Sequence, residues 1–78
     1  MLGFDRISFD PAIMGGRACI RGTRITVSLI LNLVANGMSV EEILEAYPYL
    51  EAGDIRQALE YAAWLAEESI HMLEQAAT

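Results

Sequence analysis

Lysine is absent from this chain of 78 residues, and cysteine and histidine occur once each. The single Cys19 rules out an internal disulfide. One cysteine and one histidine, His71, with no CxxC or HExxH spacing, make no zinc framework. No nucleophile–base pair can be named, so the sequence points to neither an enzyme nor a cofactor. Long hydrophobic runs are missing too. The most apolar stretch, Val27–Ala35, holds Ser28 and Asn32 and is far too short to span a bilayer. The first nine residues carry Asp5 and Arg6 where a secretory leader would be apolar. Together with a lone thiol, these features lead us to expect a soluble cytoplasmic protein with no membrane partner.

A chain of this length forms one domain with a thin core, and such domains often rely on a staple or a second subunit. With disulfide and metal set aside, oligomerisation is the remaining device. The net charge is −6, which opposes indiscriminate binding to nucleic acid. The charge is also unevenly spread. Residues 1–24 hold four arginines against two aspartates, net +2, whereas residues 25–78 hold Arg56 alone against nine carboxylates, net −8. Every base is arginine, whose planar fork suits carboxylate, phosphate or guanine edges.

What is present is organised around Gly15-Gly16-Arg17-Ala18-Cys19-Ile20-Arg21-Gly22-Thr23-Arg24-Ile25-Thr26-Val27. Before it, Ile7-Ser8-Phe9 reads as a short strand ended by Asp10-Pro11. Within it, Ala18-Cys19-Ile20 reads as a second strand, Arg21-Gly22-Thr23-Arg24 as a tight turn, and Ile25 as its continuation. Thr26 or Ser28 can cap a first helix that is apolar almost all round, with Val27, Ile30, Leu31 and Val34 on one side and Leu29 and Leu33 beside them. Asn36-Gly37 ends it. Ser39-Val40-Glu41-Glu42 is a capping box opening a second helix, which Pro48 stops. A third helix starts near Ala52 and meets no breaker before the end of the chain. On it Ile55, Leu59, Ala62, Ala66, Ile70 and Leu73 share one face. Ala58, Tyr61, Leu65 and Met72 form a neighbouring stripe, and Trp64 points elsewhere, among Gln57, Glu60, Glu67 and Glu68. Residues 1–25 are thus a β segment with an arginine-rich turn, and residues 26–78 a three-helix unit with a long last helix, together one mainly α domain.

Two contact surfaces follow. Arg17, Arg21 and Arg24 either face phosphates as a basic ribbon or pair with the acidic helices of the same or a partner chain. Helix, turn and helix over residues 39–66 has a helix-turn-helix outline, in which Arg56 and Gln57 would be the groove-facing polar residues. Glu51, Asp54 and Glu60 around them oppose phosphate contact. Tyr61, Trp64, Leu65, Glu68 and Met72 are candidates for a protein partner, because aromatics on an otherwise acidic helix make good anchors; ordinary packing is the alternative for Tyr61 and Trp64. Glu41, Glu42 and Glu45 ring an exposed face and do not converge on a metal.

The run Gly15 to Ala63 resembles the small bacterial family known as domain of unknown function 433. The specific part is Ile20-Arg21-Gly22-Thr23-Arg24-Ile25, followed by Gly37-Met38-Ser39, Glu42-Ile43-Leu44, Tyr47-Pro48 and Asp54-Ile55. The resemblance implies a homeodomain-like, three-helical helix-turn-helix fold with a short N-terminal β segment. It also implies an antitoxin similar to VapB-type antitoxins: a homodimer that neutralises a PIN-like ribonuclease toxin by contact and binds its own operator DNA. This chain departs from the family pattern at Glu51-Ala52, where Thr-Pro is common, and at Ala18 and Thr26, where proline is common. The alternatives are a DNA-binding transcriptional regulator without a toxin, and a dimeric adaptor that binds no nucleic acid.

Overall fold

The computed structural model describes the backbone of residues 3–77 and the side chains of residues 3–67. Two strands, β1 (Ile7–Ser8) and β2 (Cys19–Ile20), precede three helices, α1 (Val27–Ala35), α2 (Val40–Ala46) and α3 (Ala52–Ala77). The strands pair antiparallel, Ile7 opposite Ile20 and Ser8 opposite Cys19. On its other side β2 meets the segment entering α1, through a bridge between Cys19 and Thr26. There the Ile20 N–H donates to the Ile25 carbonyl and the Val27 N–H to the Ala18 carbonyl, both at 2.9 Å. Cys19 and Ile20 are therefore the middle of three extended segments, which is why both are buried. Between the strands, Met14–Gly16 forms a 3₁₀ turn. Met14 takes φ +50° there, an uncommon backbone state for a side-chain-bearing residue.

The turn after β2 is closed twice. The Thr23 N–H donates to the Ile20 carbonyl at 3.0 Å, and the Thr23 hydroxyl donates to the same oxygen at 2.8 Å. Thr23 Oγ1 then accepts the Ile25 N–H at 3.0 Å. Gly22 sits at φ +79°, the third-position geometry of a type II turn, which a Cβ would disfavour. The turn therefore spans residues 20–23, one residue earlier than the sequence suggests, with Arg21 at its second position and Arg24 directly after it, so both arginines are presented from a tightly bonded loop.

Local chemistry sets the helix ends. Thr26 caps α1 by accepting the Leu29 N–H at 3.0 Å. At the other end Gly37 N–H reaches the Val34 carbonyl and Met38 N–H the Leu33 carbonyl, a complete Schellman closure. The capping box of α2 is present in both directions: Glu42 N–H to Ser39 Oγ at 3.1 Å, and Ser39 N–H to Glu42 Oε1 at 2.9 Å. At the start of α3 the Glu51 side chain makes no cap. Asp54 supplies the reciprocal half instead, accepting the Glu51 N–H at 2.8 Å.

Ile30, Ile43 and Ile55, one from each helix, are fully buried and form the centre of the core. Two expectations need correction. Helix α1 is not enclosed all round: Val27 and Ile30 are buried, while Leu29, Leu31, Leu33 and Val34 are half-buried. On α3 the sealed residues are Ile55, Ala58 and Tyr61, not the stripe running through Leu59, Ala62 and Ala66. Leu59 and Ala62 are half-buried flanks and Ala66 is exposed. One cause is length: α1 has only nine residues, about 14 Å at 1.5 Å per residue, and can cover only part of α3. Ile70 and Leu73 lie outside the residues whose side chains are described.

Ser39→Ala removes one arm of the capping box and is expected to cost about 1 kcal/mol of folding stability. Urea denaturation measures it, and an unchanged midpoint would show that α2 is held by packing alone.

Candidate functional site

Arg6 ties the N-terminal segment to the start of α3. Its Nη1 donates to Glu51 Oε1 at 2.8 Å and to Asp54 Oδ1 at 2.9 Å. Its backbone N–H donates to Gln57 Oε1 at 2.6 Å, and its carbonyl accepts the Arg21 N–H at 2.7 Å. Gln57 Nε2 in turn donates to Asp5 Oδ1 at 2.9 Å. Asp54 is only 8 % exposed, yet both its oxygens are satisfied, one by the guanidinium and one by the Glu51 N–H. The carboxylates of Glu51 and then Asp54 raise the Arg6 pKa above the ordinary guanidinium value. The Gln57 amide holds the Asp5 carboxyl below its ordinary range.

Gly53 makes this arrangement possible. A Cβ at that position would lie 2.9 Å from Arg6 Cζ and 3.0 Å from its Nη2. The glycine that weakens the first turn of α3 is thus the seat on which the guanidinium rests.

The residues expected to meet nucleic acid fall into two groups. Arg17, Arg21, Arg24 and Arg56 are all exposed, and none forms an ion pair among the described residues. Gln57 is half-buried and already shared between Arg6 and Asp5. The three N-terminal arginines do not alternate along a strand. Only Cys19 and Ile20 pair as strand; Arg21 and Arg24 stand in the turn, and Arg17 follows the 3₁₀ turn. Arg21 borders a depression of about 280 Å³ that it shares with Arg6, Tyr49, Glu51 and Asp54. Arg17 borders a separate groove of about 490 Å³, walled by Phe9, Val27, Leu31, Tyr61 and Leu65.

The residues expected to meet a protein partner also divide. Tyr61 is 7 % exposed and belongs to the core, where Phe4 packs edge-on at 5.3 Å between ring centroids and Phe9 at 5.9 Å. Trp64 stacks on Tyr61 at 6.2 Å and lies 6.0 Å from Phe4, yet remains 43 % exposed. Half of the indole is therefore packing and half is free surface. Leu65 is exposed at the rim of the groove. The side chains of Glu68 and Met72, and of His71, lie outside the described residues.

Arg6, Thr23 and Gly53 were not singled out by sequence reading. A signal for Arg6 did exist: Glu51 and Asp54 crowd one helical turn, and the nearest base, Arg56, stands beyond them on the same helix. Two crowded carboxylates call for a cation from elsewhere in the chain. Among the described residues, no group of three or more His, Cys, Asp or Glu could hold a metal ion, and no helix is long and apolar enough to cross a membrane.

This geometry defines a small, mainly helical protein with three helices and a two-stranded N-terminal β unit locked to the last helix. The chain belongs to the family described as protein of unknown function (DUF433), whose model matches residues 7–62. It is 46% identical over 56 residues to the uncharacterized protein y4eO of Sinorhizobium fredii (strain NBRC 101917 / NGR234). That match covers 72% of this chain and 25% of the relative, so the chain spans about a quarter of the longer protein. The crystal structure of a DUF433 member protein from Anabaena variabilis ATCC 29413 is similar with a TM-score of 0.74 at 32% identity, covering 88% of this chain and 68% of that one.

The Arg6–Gly53 contact predicts a specific coupling. In an Arg6→Ala background, Gly53→Ala should stabilise the protein by about 1 kcal/mol, the ordinary gain in helix propensity. In the parent that gain should be offset or reversed, because the new methyl displaces the guanidinium. A double-mutant cycle in urea reads the difference, and additivity would refute the contact.

A pH dependence also follows. The lowered carboxyls of Asp5 and of Glu42, the latter held down by the Ser39 N–H and hydroxyl, contribute stability that is present above the ordinary carboxylate range. It is lost as pH falls below about 4 and through the lowered folded values. Thermal midpoints should therefore drop on acidification, and Glu42→Gln should flatten that drop.

Proposed function

We propose that this protein is an antitoxin-like regulator that acts by contact and not by turnover. The turn bearing Arg21 and Arg24, with Arg17 beside it, would touch the phosphates of operator DNA. The far part of α3 would occupy a PIN-like ribonuclease toxin. The observation that carries this reading is the division among the arginines. Arg6 is committed to Glu51 and Asp54, whereas Arg17, Arg21, Arg24 and Arg56 are exposed without an ion pair among the described residues. An acidic protein that leaves its few cations unpaired on a tightly bonded turn has a ready anion-contacting surface.

In this reading DNA contact moves away from the first turn of α3. Gln57 is already bonded at both ends, and Glu51 and Asp54 would repel phosphate. A homeodomain-like docking of α3 in the major groove is therefore supported less well than contact through the β turn, with Arg56 adding a flanking phosphate contact. Toxin contact rests on the exposed part of Trp64, which is flanked along the helix by Glu60 one turn before it and Glu67 one turn after. Carboxylates around an aromatic anchor suit a nuclease cleft that expects phosphates. The family resemblance supports the toxin class and a cytoplasmic setting.

Fluorescence anisotropy with the DNA upstream of the protein's own gene tests the first part. Binding should weaken steeply between about 50 and 200 mM salt, and Arg21→Ala and Arg24→Ala should each lower the log–log salt slope by about 0.9. Absence of salt-dependent binding would remove the DNA function. Co-expression with the product of the neighbouring gene tests the second part: the pair should co-purify, and Trp64→Ala should release it. DNA binding without co-purification would leave a transcriptional regulator that has no toxin.

A further inference from the structure

Trp64 is fixed in direction but only partly covered. Tyr61 stacks on it with 6.2 Å between ring centroids and 28° between planes, and Phe4 lies 6.0 Å away at 56°. Tyr61 is itself held in the core by Phe4 and Phe9. The indole is therefore braced by rings that are braced in turn, yet it stays 43 % exposed. Of all side chains, an indole offers a cation the strongest π surface. The charges beside it are of one sign. Glu60 lies one turn before Trp64 and Glu67 one turn after, both exposed. At 100° per residue the two carboxylates fall within about 20° of each other, on the same side of the indole, and about 10 Å apart along the axis. Neither forms an ion pair among the described residues, although Arg56 stands one turn before Glu60. Residues 57–67 contain no base of their own.

We infer that Trp64, Glu60 and Glu67 form a seat for an arginine side chain of a partner protein, its guanidinium lying on the exposed indole between the two carboxylates. The inference rests on the reading of this part of α3 as the partner-facing surface, and it names the group recognised there. Charge complementarity selects the occupant. An apolar partner residue covering Trp64 would also desolvate Glu60 and Glu67 and leave them unpaired, which is costly. An anion, whether a carboxylate or a nucleic-acid phosphate, would be repelled by both. A cation satisfies the indole and the carboxylates together. Among cations, the guanidinium fits better than an ammonium: it is planar, more weakly hydrated, stacks on aromatic rings, and still has donors at its edge for a carboxylate. A ribonuclease has to hold a phosphate backbone, and arginine is the residue best suited to that work. An arginine of that kind, engaged by Trp64 and its flanking glutamates, is no longer free for the substrate, so the contact would block as well as bind.

The chain has a single tryptophan, so its emission reports this seat alone. The test titrates the intact chain at low salt with two short blocked peptides of equal charge, one built of arginine and one of lysine, and follows that emission. The arginine peptide should shift the emission and reach half-saturation at a concentration at least about threefold below that of the lysine peptide. Glu60→Gln and Glu67→Gln should each weaken the arginine peptide by about threefold, without loss of helical circular dichroism. No emission change, an equal response to the two peptides, or indifference to both glutamate variants overturns the inference. A second measurement uses the complex with the neighbouring gene's product. Trp64→Leu keeps apolar bulk and removes the π face, and it should weaken that complex at least about tenfold. A complex that tolerates Trp64→Leu would mean a purely apolar anchor; it would overturn the inference and leave the toxin reading standing. Failure of the two proteins to bind, with the arginine peptide still recognised, would count against the toxin reading alone.

Discussion

One guanidinium holds the two halves of this protein together. Arg6 lies 45 residues from Glu51 and 48 from Asp54, and the three side chains meet within 2.9 Å. A two-stranded β unit is not stable by itself in water and must be fastened to something larger. Here the fastening is polar at one edge, through Arg6 and Gln57, and aromatic along α3, through Phe4 and Phe9 against Tyr61. Because the Arg6 carbonyl also accepts the Arg21 N–H, the residue that grips α3 places the exposed turn as well. The buried side of Asp54 makes the arrangement obligatory: a carboxylate sealed to that degree is costly without a cation beside it. Gly53 completes the logic by leaving room for the cation.

What the sequence made legible was local. The capping box at Ser39, the closure at Asn36-Gly37, the stop at Pro48 and the turn at Gly22 each depend on residues within five positions of one another, so their chemistry can be read in a short window. The Arg6 network depends on partners separated by more than 40 residues, and no period in the sequence encodes that distance. The face of α3 was misjudged for a related reason. Its two apolar stripes lie about 100° apart, and which of them is sealed depends on what packs against α3, not on α3 itself. Tyr61 and Trp64 show the same limit: both are aromatic, one turn apart, and only the position of Phe4 and Phe9 makes one core and the other half surface.

The arginines of this chain illustrate how placement outweighs count. Five bases against eleven acids would ordinarily find partners on the surface. Only Arg6 does so among the described residues, and it serves the one place where a carboxylate is buried. Arg21 and Arg24 stand on a turn whose backbone is fixed by Thr23 through two hydrogen bonds and a third accepted from Ile25, so little backbone freedom remains to be lost on binding a partner. Arg17 follows a left-handed turn that points it to the groove. Arg21 borders the depression that holds Glu51 and Asp54 without forming an ion pair to either.

The long helix can be understood from the same division between local preference and packing. Residues 62–77 read Ala-Ala-Trp-Leu-Ala-Glu-Glu-Ser-Ile-His-Met-Leu-Glu-Gln-Ala-Ala, dominated by strong helix formers. Nucleation, the costly step, is already accomplished where Ile55, Ala58 and Tyr61 are packed in the core, so extension adds a backbone hydrogen bond per residue at little further entropic cost. A stretch of this composition can continue the helix once it is started. Among its described side chains, Trp64 and Leu65 stand exposed on different faces. The body specifies where the helix starts and in which direction it leaves; the contacts it goes on to make are set by whatever meets those two faces.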